Sequence, residues 1–315
     1  MRALVVGGAG FVGSHLVDRL LADGHTVDIV DDYSTGSLAN LADARAINDG
    51  TLKVHHLDVR SSGLVELVAR RRPTVMYHLA VLPAGLPVAT SGEVAIGGLL
   101  NLMEAARAAD VAKIIVTVPG DVYYGSVNQR ELPVKEGQLG AAQSAGCIVA
   151  RAVTELLAVA RETQGLEFTA LATGEVYGSR QRPGHGIVAS FLESRATGTP
   201  ASMPGDGRQT HDLIHVDDTV DALARAAERG SGLVINIGTG TQTSARDLHP
   251  MICESGPPWA SASQLTTMLG RFAMSPVRAR IHLAWAPWTS LADGLTQSKA
   301  GYRPVEPPAT ATETD

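Results

Sequence analysis

Residues 5–14 read VVGGAGFVGS, an apolar run that stops at a cluster of glycines and resumes as a helical pattern. Gly7, Gly10 and Gly13 in that spacing permit a tight turn, close approach of backbone to a pyrophosphate, and close packing of helix on strand. A helix opening at Phe11 and Val12 points its free N–H groups and the positive end of its dipole at the phosphates. Eighteen residues beyond Gly13 stands Asp31, followed by Asp32, at the end of the next apolar run. A carboxylate there accepts hydrogen bonds from ribose hydroxyls and repels a 2′-phosphate, which favours NAD over NADP. Glycine turns end many strands, and an acid in DDYSTG could be a plain turn residue. The strand before, the helix after and the acid at the next strand end together favour a dinucleotide site.

Those residues need a scaffold, and the rest of the sequence supplies one. Short apolar runs at 3–6, 26–30, 52–57, 74–79, 113–118 and 167–172 read as buried strands. Helical patterns at 11–22, 63–71, 97–109 and 148–162 lie between several of them. Alternation of this kind predicts right-handed crossovers and a doubly wound parallel sheet of Rossmann type. After about residue 180 the pattern breaks into shorter pieces, with strands at 213–215 and 233–237 and a helix at 218–229. The expected division is a dinucleotide-binding domain over 1–175 and a smaller α/β substrate-binding region over 176–300, with sheet strands open to sharing. Residues 301–315, ending PVEPPATATETD, have the composition of a disordered tail.

Composition narrows the function class. The chain has 315 residues, 44% of them hydrophobic, enough for a large core. A net charge of −6 with no basic run argues against nucleic acid and against an anionic membrane surface. No apolar stretch approaches the roughly 20 residues of a membrane helix. Two cysteines, Cys147 and Cys253, are too few for a disulfide scaffold. The expectation is a cytoplasmic, enzyme-sized protein with a small-molecule substrate and no metal.

With GGAGFVGSHL and DDYSTG in place, the chain resembles the NAD-dependent epimerase/dehydratase family, the extended short-chain dehydrogenases/reductases. Asp58-Val59 resembles the pair that family sets beside adenine, and His78-Leu79-Ala80 its HLA strand end. NLMEAA at 101–106 resembles the next helix, EVYGSRQRPG the family's NVYGPRQ segment, and GDGRQTHDLIHVDD its GDGxQxRDFxxVDD. INIGTGTQTS and LAWAPWTSLADGL resemble its C-terminal signatures, so the likeness runs from Ala3 to about Leu295. It implies NAD as cofactor, held by Gly7, Gly10, Phe11, Val12, Gly13, Asp31, Asp32, Asp58, Val59, Leu79 and Ala80. It also implies pairing into a homodimer through a helix bundle that would include 148–162.

The resemblance exposes a gap. Members of the family use a Ser or Thr on one strand and a Tyr-x-x-x-Lys pair on the next helix for proton transfer during hydride chemistry. Here the serine position falls on Pro119 or Gly120, the tyrosine on Cys147 and the lysine on Arg151. Counting four on from Tyr33, Tyr77, Tyr123, Tyr124, Tyr177 and Tyr302 reaches no lysine, and no lysine lies between Lys135 and Lys299. The asparagine before VYG is Glu175, the arginine of QxRDF is His211, and the asparagine preceding NLMEAA is Ala95. A histidine in place of an arginine fork, with a carboxylate nearby, should weaken recognition of a sugar nucleotide's diphosphate.

Replacement groups are available. Glu175 and His211 would form an acid/base pair if they share one pocket; otherwise each meets solvent or a local partner. Cys147, one turn before Arg151, is either a reactive thiol or a small buried hydrophobe. Arg151 is expected to keep the lysine's hold on the nicotinamide ribose, without shuttling protons. Tyr123 or Tyr124 could supply a phenol from the strand end, although the VYG tyrosine of relatives is usually packing. Asp121, just past the lost serine, could replace its hydrogen bond or serve a turn. His185 and Arg180, in the EVYGSRQRPGHG stretch, are candidate substrate contacts. The favoured reading is an NAD-binding enzyme with repurposed acid/base chemistry on a polar, sugar-like metabolite: isomerisation, cyclisation, elimination or epimerisation, with or without net redox. A conventional nucleotide-sugar enzyme with a displaced proton relay, and a non-catalytic NAD-binding partner or sensor, stand as alternatives.

Overall fold

A computed structural model describes residues 1–47, 49–82, 87–204, 206–253, 260–262 and 270–302. The expected alternation is realised as β1 (Arg2–Val6), α1 (Phe11–Ala22), β2 (Thr26–Asp31), α2 (Ala42–Ile47), β3 (Leu52–His56), α3 (Gly63–Arg71) and β4 (Val75–His78). It continues through α4 (Val88–Gly92), α5 (Gly98–Ala109), β5 (Lys113–Pro119), α6 (Gly120–Tyr124), α7 (Ala145–Gln164) and β6 (Glu167–Thr173). A single π-helical turn, Glu93–Gly97, joins α4 to α5 at the position of Ala95. Helix α7 begins three residues before the apolar pattern because the Ser144 hydroxyl caps it, accepting the Cys147 N–H at 3.2 Å.

The second half contains β7 (Glu175–Tyr177), α8 (Ile187–Thr197), β8 (Ser202–Pro204), β9 (Thr210–His211), β10 (Leu213–His215), α9 (Val216–Ala226) and β11 (Leu233–Ile237). After these come β12 (Thr243–Ser244), α10 (Ala245–Ile252), β13 (Ala260–Ala262), α11 (Val277–His282) and α12 (Leu291–Gly301). The tail from residue 303 lies outside the described residues.

Seven strands form one parallel sheet in the order β11-β6-β5-β4-β1-β2-β3. Strand order reverses between β1 and β4, which opens a crevice at the carboxyl ends of the strands. Alternating side chains separate two cores, as a sheet buried on both faces requires. Leu4, Val30, Met76 and Ile114 pack with Leu64, Leu102, Val153 and Leu157 from α3, α5 and α7. Val5, Ile29, Tyr77 and Ile115 pack on the other face with Leu16, Leu20, Leu223 and Ala279 from α1, α9 and α11. A third cluster, with Tyr177, Ile187, Phe191, Leu213, Leu248 and Leu295, forms the smaller lobe. Strand β11 returns from the second half of the chain to extend the main sheet beside β6.

Candidate active site

The glycine turn is built as its spacing demands. A Cβ on Gly13 would collide with the Gly7 carbonyl, so helix α1 can approach the strand only because residue 13 has none. Asp31 ties this turn to the end of β2. Its carboxylate accepts the Ala9 N–H at 2.8 Å and the Tyr33 N–H at 2.9 Å, leaving a lone pair on each oxygen. Burial raises its pKa above the ordinary aspartate value, against the pull of those two N–H groups. Asp32 accepts from Ser34 through both the amide and the hydroxyl. Arg60 grips Asp58 at 2.6 Å and reaches Glu93 at 3.1 Å, while Asn101 holds the Val59 carbonyl at 2.7 Å.

These residues line one cleft of about 690 Å³. Gly7, Gly10, Phe11, Val12, Gly13, Asp31, Asp32, Asp58, Val59, Leu79 and Ala80 all face it. With the pyrophosphate seat at the glycine turn and the ribose acceptor on β2, the other half of a dinucleotide must run across β4 toward β5 and β6. There the cleft is lined by Pro119, Asp121, Thr173, Gly174, Glu175, His185 and His211.

Glu175 and His211 meet at that far end. His211 Nδ1 lies 2.7 Å from Glu175 Oε2, with the two side chains 28% and 26% exposed. The other carboxylate oxygen accepts the Ile187 N–H at 2.5 Å, at the first turn of α8. His211 Nε2 is buried and makes no hydrogen bond. Burial alone would raise the Glu175 carboxyl, but the hydrogen bond and charge of His211 outweigh it and hold it below the ordinary value. Burial alone would lower His211; hydrogen bonding to Glu175, then the charges of Glu175 and Asp121, reverse that and raise it above 6.5. Asp121 is open to solvent inside the cleft. The surrounding walls still strip bulk water from it, so its carboxyl is raised, first by desolvation and then by the charge of Glu175. The end of the cleft therefore holds a hydrogen-bonded histidine–glutamate pair in which each partner favours the other's charged form, beside an aspartate whose carboxyl is raised.

Four residues expected at the site do not line this cleft. Cys147 is buried, with Sγ directed at the Tyr123 carbonyl at 3.7 Å, so it is a packed thiol facing main chain. Tyr124 is buried and donates to Asn236 Oδ1 at 2.6 Å; burial raises its pKa far above any useful range. Arg151 spends its guanidinium on the carbonyls of Tyr123, Tyr124 and Gly140 instead of reaching a ribose. Arg180 pairs with Asp18 at 2.6 Å and borders a neighbouring cavity shared with Tyr33–Ser37 and α12. Among the described residues lining the cleft, none comes from α7. Nor is there room for a serine at Gly120: a Cβ there would strike Met274 Sδ and lie 2.9 Å from both Met274 Cε and the Thr173 carbonyl.

Sequence reasoning missed Gln181, Arg182, Gly186 and Ile187, which also line the cleft. The RQRPGHG stretch was the available signal, and it pointed to Arg180 in place of Arg182. It likewise missed Asp212, which places His211 by accepting from Thr239, Gly240 and Met274. Among the described residues no group of three or more His, Cys, Asp or Glu could hold a metal ion.

A glycine turn, a ribose-binding acid and a cleft over the sheet's reversal define a dinucleotide-dependent enzyme fold of the short-chain dehydrogenase kind. Residues 3–238 match the NAD dependent epimerase/dehydratase family, and the chain belongs to it. A UDP-glucose 4-epimerase from Mycolicibacterium smegmatis is 36% identical over 321 aligned residues, covering 96% of this chain and 99% of that protein. A dTDP-glucose 4,6-dehydratase from Actinoplanes is 29% identical, covering 96% of this chain and 98% of the relative. The structure of UDP-glucose 4-epimerase from Thermotoga maritima with UDP-glucose superposes with a TM-score of 0.87 at 30% identity, covering 96% and 98% of the two chains. That of the Thermus thermophilus enzyme with NAD gives 0.85 at 29% identity, with the same coverage. NAD is the cofactor of the family, and the free lone pairs of Asp31 beside the glycine turn suit its adenosine half.

Proposed function

We propose that this protein is an NAD-dependent enzyme whose proton transfers have moved from the family's helix position to Glu175, His211 and Asp121. The observation that carries the reading is the 2.7 Å ion pair between Glu175 and His211, set in the cleft beside Asp121 while Cys147 and Arg151 turn away from it. When bound, NAD supplies a hydride acceptor and donor for a substrate carbon. His211, its pKa raised by Glu175 and Asp121, is the proton donor, and its buried Nε2 must be uncovered for a substrate oxygen to reach it. Glu175 fixes the ring through Nδ1 and favours its charged form. Asp121, its pKa raised, accepts a proton from a hydroxyl or an acidified C–H. These roles suit epimerisation, isomerisation, cyclisation or elimination on a polar, sugar-like metabolite without net redox. The second-half elements around α8 form the substrate-binding region.

Turnover tests this. The NAD-loaded protein is screened on polyhydroxylated substrates, following reduced nicotinamide by absorbance and products by mass spectrometry. His211→Ala and Asp121→Asn should each lower turnover by ~10²-fold or more, the scale of a lost general acid or base. Unchanged turnover in both would remove the assignment. A cytoplasmic homodimer belongs to the same reading: Leu100 on α5 and Ile148 and Val159 on α7 leave apolar side chains exposed, and sedimentation at micromolar concentration checks the pairing.

A further inference from the structure

The geometry points to Glu175 as a built-in anion that occupies the phosphate-ready N-terminus of α8 and bars diphosphate-bearing substrates from the cleft. This deepens the proposed function, since it rests on the same ionised Glu175–His211 pair and names the class of compound that the site accepts.

Helix α8 runs for 11 residues and opens into the cleft at Gly186 and Ile187. Such an opening offers unpaired N–H groups and the positive end of a dipole, and favours an anion. Here the anion is the protein's own. Glu175 Oε1 takes the Ile187 N–H at 2.5 Å, and Oε2 takes His211 Nδ1 at 2.7 Å. A second feature shows the seat shaped around this carboxylate. Gly186 has φ +93°, and a Cβ there would lie 2.8 Å from Glu175 Oε1 and 3.0 Å from Gln181 Nε2. Gln181 in turn donates to the Val176 and His185 carbonyls, pinning the loop that leads into the helix. The backbone is thus brought against the carboxylate as it would be against a bound phosphate.

Charge balance gives the consequence. Among the described residues lining the cleft, Arg182, exposed on the loop before α8, is the one arginine or lysine, and His211 is already paired with Glu175. Asp121 adds a second negative group that feels Glu175 directly. A diphosphate would have to displace Glu175 from Ile187 and from His211, then sit beside two carboxylates with Arg182 as the one arginine or lysine among the described residues lining the cleft. A polar compound with no anionic group at this end meets no such barrier. The substrate class is therefore a neutral or amine-bearing polyhydroxy compound, not a nucleoside diphosphate sugar.

Titration calorimetry with UDP and with inorganic pyrophosphate on the NAD-loaded protein tests the idea. The native protein should show no binding at millimolar ligand. Glu175→Gln, which keeps the shape and removes the charge, should bind UDP at least tenfold more tightly. Glu175→Ala supplies a second reading if the glutamine variant misfolds: pyrophosphate should raise its melting temperature while leaving that of the native protein unmoved. Submillimolar UDP binding by the native protein, or equal affinities across the three proteins, would overturn the inference. Neither outcome depends on turnover. Loss of activity in His211→Ala alongside UDP binding by native protein would sink the substrate class and keep the acid/base roles; the converse result would do the opposite.

Discussion

The Arg151 guanidinium donates from Nη2 to the Gly140 carbonyl at 2.8 Å, and the same nitrogen reaches Tyr124 O at 2.9 Å. With Nε on Tyr123 O at 2.9 Å, one side chain staples the segment after β5 to the start of α7. A planar fork can span three carbonyls where a single ammonium cannot.

Arg151→Ala should therefore cost stability and spare the cofactor. Charged hydrogen bonds contribute about 1.5–3 kcal/mol each, and three sharing one group overlap, so a loss of ~2–4 kcal/mol is expected in urea denaturation. Arg151→Lys should recover less than half of it. NAD affinity by calorimetry should stay within about twofold. A tenfold loss of NAD affinity in a folded variant would place Arg151 on the ribose after all.

Restoring the family's hydroxyl at residue 120 should fail sterically. Gly120→Ser drives Cβ into Met274, a fully buried side chain, and overpacking of this kind costs about 1–3 kcal/mol. Met274→Ala should relieve part of that cost, so the double variant is less destabilised than the sum of the two. Complete relief is not expected, because the Thr173 carbonyl also stands 2.9 Å from the new Cβ and cannot be trimmed. Additive losses, measured as a double-mutant cycle, would contradict the contact.

His78 gives a stability signature in acid. It is fully buried at the end of β4, and burial lowers its pKa to about 4 against a weaker upward pull from the Ala95 backbone. Neither ring nitrogen closes a hydrogen bond. The unfolded chain takes up a proton near 6.5 and the folded chain does not, so stability falls as pH drops from 6.5 to about 4 and levels off below. The total is ~3 kcal/mol. His78→Leu should flatten that limb of the denaturation profile; an unchanged slope would assign the acid sensitivity to other groups.

Much of the frame was legible because local chemistry and global fold agree in it. The turn from Gly7 to Gly13 is set by spacing, and helix 11–22 and strands 213–215 and 233–237 fall where the apolar pattern places them. Asp31 needed only its distance along the chain. Direction was not legible. Cys147 and Arg151 occupy the family's tyrosine and lysine positions, yet Tyr123, Tyr124 and Gly140 offer carbonyls that draw both side chains away from the cleft. No sequence pattern records where a free carbonyl will lie. Met274 likewise reaches Gly120 across 154 positions of chain, a contact that only the packed lobe creates. Glu175 and His211 were legible as types; their meeting depends on β10 pairing with β7, and Asp121 completes the group from a different strand end.

The ion pair makes the last prediction, and its sign differs on its two sides. His211 has a raised pKa in the folded protein, so its contribution is complete below 6.5 and is lost as pH rises through the folded value. Glu175 has a lowered pKa, so its contribution is complete above about 4.5 and is lost as pH falls through its folded value. The pair therefore supports the fold most between those limits and less on either side. Glu175→Gln removes both limbs together: the alkaline limb disappears because burial, the largest effect on His211, then lowers its pKa against the charge of Asp121 alone. The imidazole proton resonances of His211, followed by NMR from pH 5 to 9, should titrate above 6.5 in the native protein and below it in the variant. Turnover should follow, with the limb governed by the protonated acid moving to lower pH in Glu175→Gln. If His211 titrates at the same pH in both proteins, the 2.7 Å contact does not persist in solution, and proton transfer in this cleft must be assigned to Asp121 alone.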